Sequence, residues 1–69
     1  MCLNEIAERF VLNEQLFNRL KDMNVYATRE MLERLLEAEK RGYWKAGDLK
    51  KKVEEKYLEI DGILEEMLR

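Results

Sequence analysis

Few side chains in this sequence could do chemistry, and their spacing decides which chemistry it would be. Glu33 and Glu37 stand one helical turn apart, so on a helix both carboxylates share a face. Carboxylate oxygens placed that way suit a hard cation such as magnesium. Glu55, Glu59 and Asp61 crowd a later stretch. The run Lys50-Lys51-Lys52 offers positive charge for an anion. Tyr26, Tyr43, Trp44 and Tyr57 offer flat faces on which a planar ligand or single-stranded nucleic acid could stack.

Each of these has a plainer reading, and the balance of charge favours it. The chain carries 13 basic and 15 acidic side chains, a net charge of −2, with both signs mixed along it. Mixed carboxylates and lysines read as a solvated helix face. Glu54 and Glu55 follow the lysine run at once, and lysines in a first turn oppose the helix dipole. A stacking platform comes with a basic groove, which this composition does not supply, so the aromatics read as core or docking residues. Neither nucleic acid nor a membrane is an expected partner.

The missing residue types are as informative. There is no histidine, no serine, one cysteine (Cys2) and no Gly-rich phosphate loop. That removes the commonest general base and transition-metal ligand, and with them Ser-, Cys- and His-based catalysis. A lone cysteine makes no internal disulfide and no thiolate metal site. No catalytic, cofactor-binding or metal residue is expected. A small enzyme or metal site built on Glu33 and Glu37 is the least favoured reading. No apolar run approaches the ~20 residues that span a bilayer. No basic-then-apolar start suggests a signal peptide, so a cytoplasmic protein is expected.

The elements that must position these residues are helices. The chain has 69 residues, three glycines and no proline, and is rich in good helix formers. One small all-α domain spanning residues 1–69 is expected, marginal in stability once chain entropy of about 1.5 kcal/mol per residue is counted. Leu3, Ile6, Ala7 and Phe10 predict a short first helix, with Asn4 as a candidate cap. Asn13 should cap a second helix, whose stripe is Leu16, Phe17, Leu20 and Met23. Asn24 should cap a third, Val25 to Arg41, with Met31, Leu32, Leu35, Leu36 and Ala38 on its apolar side. Glu30–Arg34 and Glu37–Arg41 are acid-before-base pairs on that helix. Gly42 stands where a left-handed C-terminal cap is needed.

Asp48 is a candidate cap for a last helix, Leu49 to Leu68. Its seam is Leu49, Val53, Tyr57, Ile60, Leu64 and Met67. Gly62 interrupts this helix at a cost of about 1 kcal/mol, which suggests a close backbone approach or a tolerated weak point. The architecture is a bundle of three helices preceded by a short N-terminal one. The two long helices, joined by a short connection, should form an antiparallel hairpin. An aromatic ring just past the Gly42 stop can fold back into the corner of that hairpin.

The same residues carry a resemblance. From Asn24 through the triplet Leu36-Glu37-Ala38, Arg41-Gly42-Tyr43-Trp44, Tyr57 and Asp61-Gly62, the sequence resembles the C-terminal segment of the large subunit of cobaltochelatase and magnesium chelatase. The stretch "AERFVLNEQLFNRL" is similar to the part preceding it, so the likeness runs from about Ile6 to Glu66. Val25 departs from the proline that often follows the capping Asn; proline there is favourable but not required.

The resemblance implies a very long tetrapyrrole-binding subunit that works with ATP-hydrolysing AAA+ partners to insert Co²⁺ or Mg²⁺. A chain of 69 residues has no room for a macrocycle pocket. It is therefore expected to be a C-terminal helical subdomain of that subunit, or a short stand-alone relative. Its expected partner is the remainder of the subunit, with Glu37, Arg41, Gly42, Tyr43, Trp44 and Tyr57 in docking or structural roles. The competing expectation is a free-standing helical interaction module that self-associates, most simply as a homodimer.

Overall fold

A computed structural model describes every residue of the chain except Met1, Cys2 and Ala46, and describes Leu3 and Ile6 by backbone alone. The expectations for Cys2, and for the Leu3 and Ile6 side chains, lie outside the described residues. Among those residues the chain forms four helices and no strand: α1 Leu3–Val11, α2 Glu14–Met23, α3 Val25–Lys40 and α4 Leu49–Met67. None of these helices is long and apolar enough to cross a membrane.

Side-chain oxygens set two of the helix starts. The Asn13 amide oxygen accepts from the Leu16 backbone N–H at 3.1 Å, and the Asn24 oxygen accepts from Ala27 at 3.0 Å. Both relieve a donor that the first turn leaves without an intrahelical partner. Asn24 does more than cap. Its extended backbone (φ −160°, ψ 95°) takes the chain off the axis of α2, while its own N–H still donates to Leu20 O at 3.0 Å. Its carbonyl then receives the Thr28 N–H at 3.1 Å and the Thr28 hydroxyl at 2.8 Å. One residue closes α2 and opens α3.

Two expected caps are corrected. Asn4 lies inside α1, and its amide donates to the Lys45 carbonyl at 2.8 Å, tying α1 to the connection between α3 and α4. Asp48 precedes α4 but makes no capping hydrogen bond. Its backbone is already helical (φ −68°, ψ −21°), whereas a capping side chain needs an extended one.

The core draws on all four helices. Ala7 and Val11 of α1, Phe17 of α2, Leu32 and Leu35 of α3, and Val53, Ile60 and Leu64 of α4 are buried together with Trp44. Burying this apolar surface at about 25 cal/mol per Å² is the main favourable term in folding. The α4 seam packs as its spacing predicts from Leu49 to Leu64, but Met67 is exposed. On α2, Phe17 is buried, Leu16 and Leu20 are half-buried, and Met23 is exposed. Gly62 is exposed, and a methyl group placed on it would meet nothing within 4 Å. No other part of the described chain approaches it, which leaves the weak point of the two readings.

Polar pairs between α3 and α4 follow an order. Lys50 meets Glu39 at 3.6 Å, Tyr57 donates to Glu33 at 3.2 Å, and Asp61 meets Arg29 at 3.3 Å. Positions rise along α4 as they fall along α3.

Candidate functional site

The six residues singled out in the sequence divide between a corner and a helix interface. The corner is built by Gly42. At φ +77° it takes the left-handed conformation that a side chain disfavours. That geometry lets the Gly42 N–H reach Glu39 O and the Tyr43 N–H reach Ala38 O, both at 2.9 Å. These two bonds are the Schellman pattern, and they satisfy carbonyls that the end of α3 would leave open. Arg41, the last residue before the turn, pairs with Glu37 at 3.3 Å. Both side chains are largely solvated, so the pair adds only a few tenths of a kcal/mol.

The turn separates the two adjacent aromatics. Tyr43 faces solvent at 69% exposure, and Trp44 is turned inward at 6%. The indole N–H donates to the Leu35 carbonyl at 2.8 Å. Trp44 thus folds back onto the helix the chain has just left, fills the corner and finds a partner for its one polar atom. Its face is unavailable for stacking a ligand.

Tyr57 belongs to the α3–α4 interface. Its hydroxyl donates to Glu33 and accepts from Arg29 Nη2 at 3.4 Å, while the guanidinium carbon sits 5.8 Å from the centre of its ring. Arg29 also lies 3.4 Å from Glu33 and 3.3 Å from Asp61. Tyr57 and Glu37 line one shallow groove of about 560 Å³, together with Glu33, Arg34, Leu36 and Lys40. Neither acid is a free ligand there: Glu33 is engaged by Arg29 and Tyr57, and Glu37 by Arg41. No three His, Cys, Asp or Glu residues come together as a metal site among the described residues. Lys50, first of the lysine run, is turned to Glu39 and to Glu54 at 4.0 Å.

Two cations that sequence reading passed over hold the helices in place. Arg29 is one. Lys56 is the other: its ammonium donates to Glu14 at 2.8 Å and lies 5.0 Å from the centre of the Phe17 ring. The hydrogen bond from Lys56, and then its charge, hold the Glu14 carboxyl below the usual glutamate range. The Lys56–Glu14 contact joins residues 42 apart in sequence, and no local pattern signals it.

A model of the family described as CobN/magnesium chelatase matches residues 2–51. The chain is also similar to two uncharacterized proteins of Methanocaldococcus jannaschii. MJ0908 is 46% identical over 65 residues, and MJ1441 is 43% identical over 65 residues. These stretches cover 93% and 91% of the chain but 5% of each relative. The chain therefore spans about one twentieth of the length of the curated relatives it matches. No solved structure matches.

Proposed function

The chain belongs to the CobN/magnesium chelatase family, and from that premise we propose that it is a non-catalytic helical subdomain of the large, tetrapyrrole-binding subunit of an ATP-dependent cobalt or magnesium chelatase. Such a subunit serves cobalamin- or chlorophyll-type biosynthesis in the cytoplasm. The subdomain sits at its C-terminal end, braces the metal-inserting body, and contributes no ligand to metal or macrocycle. The observation that carries this reading is the lopsided coverage: nearly all of this chain corresponds to 5% of a relative. A match of this size is what a subdomain of a much longer subunit would give.

In this reading α3 and α4 form an antiparallel hairpin, supported by the opposite order of their polar contacts. Gly42 and Trp44 lock its corner, with Glu37 and Arg41 beside them. Tyr57 sets its register, and Tyr43 stays outside the packing.

Absorption titration of a metal-free tetrapyrrole with the 69-residue chain tests the assignment. No saturable change in its main band is expected at micromolar concentration. Saturable binding would make this unit part of the macrocycle site and defeat the bracing role.

The exposed apolar residues at one end of the bundle favour a second reading, a module that pairs with its own copy. Sedimentation equilibrium at about micromolar chain separates the two, because only a stable dimer, with an association of about −8 kcal/mol or stronger, persists there.

A further inference from the structure

We propose that the concavity formed by the end of α2, the start of α3 and the last turns of α4 is the face through which this unit seats on the body of the large subunit, an apolar surface of that body filling it. The proposal rests on the bracing role above and names the surface that performs it. Five of the eight residues that line one concavity of about 450 Å³ are apolar, Met23, Val25, Tyr26, Ile63 and Met67; the others are Lys21, Asp22 and Asn24. Three of the apolar ones are far more exposed than their chemistry favours: Met23 at 75%, Tyr26 at 58% and Met67 at 56%. Val25 and Ile63 are half-buried beneath. The cluster has a local cause. Asn24 turns the chain between Met23 and Val25, which brings apolar positions from both sides of the joint beside Ile63 and Met67, one turn apart on α4.

The other exposed apolar residues do not assemble in this way. Leu12 shares its small concavity with Leu49 and otherwise with Glu8, Asp48 and Lys52. Tyr43 and Leu58 are single exposed side chains, which are ordinary on any surface, and Leu68, exposed at the chain end, lines neither concavity. The groove at Tyr57 is lined largely by charged groups that already have partners.

Size selects the occupant. A handful of side chains exposed to this degree presents roughly a few hundred Å² of apolar surface, the size of the largest patch on an ordinary monomer and often a functional one. A stable interface between free molecules needs about 800 Å² from each partner. A second copy would therefore be held only weakly. A body carried on the same polypeptide is present at an effective concentration of about millimolar, and a small patch then suffices. The relatives supply that body, since all but 5% of their length lies outside the matching stretch.

The test places a photoreactive benzoyl-phenylalanine at Tyr26 in the protein as its cell makes it, with Leu58 and Tyr43 as comparison positions. After irradiation, cross-linked peptides are mapped by mass spectrometry. Cross-links from position 26 to large-subunit sequence outside these 69 residues are expected. Their yield should exceed that from position 58 at least tenfold and fall at least tenfold with Met23→Glu and Met67→Glu together. Both methionines are exposed, so the double variant should stay folded, with a melting temperature lowered only slightly by acids at two helix C-terminal ends. Cross-links only between copies of this unit would overturn the proposal in favour of the dimer. Large-subunit cross-links from position 43 or 58 but not 26 would overturn this face and leave the bracing role standing. No large-subunit cross-link from any position would remove both.

Discussion

Trp44 is buried, and its one polar atom is spent on the carbonyl of Leu35. Trp44→Ala therefore removes a large ring that the small core has no means of replacing, at about 3 kcal/mol or more. For a domain of marginal stability that is a large share of the total, and circular dichroism melting should show the variant mostly unfolded. An unchanged melt would mean that the ring contributes no local packing. Glu14 makes a finer prediction. Its folded carboxyl is depressed by the Lys56 hydrogen bond, so the stabilisation is present above the ordinary glutamate range and is lost as pH falls through the depressed value. NMR titration should place the Glu14 midpoint below that of an unpaired glutamate. Lys56→Met should return it to the ordinary range, and a midpoint indifferent to Lys56 would contradict the assignment. Trp44 folding back could be anticipated, because Gly42 stops the helix and a ring must go somewhere. Its partner could not, and neither could the roles of Arg29 and Lys56, because these depend on how helices distant in sequence align.

Helix boundaries were the most legible feature, since a cap is a contact three residues long. Asn13, Asn24 and Gly42 act where their chemistry predicts. Asp48 does not, because the turn before it, with Gly47 at φ +48°, delivers it already helical. The family likeness was legible from the Arg41-Gly42-Tyr43-Trp44 run and its surroundings, and the match over residues 2–51 agrees with it. The exposed end of the bundle was not legible as a surface: Met23 and Met67 each continue an apolar stripe, and only the packing shows that these stripes outrun their neighbours. The glycines allow a clean comparison. A methyl group meets nothing within 4 Å at either Gly42 or Gly62, so backbone conformation alone decides the sign. Gly42→Ala forces a left-handed alanine and should cost about 1–2 kcal/mol. Gly62→Ala replaces a poor helix former in mid-helix and should gain about 1 kcal/mol. Urea denaturation of the two variants should move in opposite directions, and a loss at both would point to a contact at Gly62 made by another molecule.

The whole molecule measures about 36 × 23 × 18 Å, small enough that each buried residue touches the same core. Every helix contributes to that core, and α1 is further tied through Asn4 to the connection before α4. Opening one element therefore exposes part of every other. Asn24 carries this furthest. With a single residue as both the stop of α2 and the start of α3, there is no slack chain between them to absorb a change of angle. At this joint neither helix has a loop in which to fray privately: unwinding the last turn of α2 releases the Asn24 carbonyl and side-chain oxygen that hold Thr28 and Ala27. In amide hydrogen exchange, the protected N–H groups on the two sides of Asn24 should share one opening free energy and respond equally to denaturant. Separate opening energies would mean that the joint yields. If they coincide, this corner behaves as a rigid bracket, and a strain applied to α2 arrives at α3 undiminished.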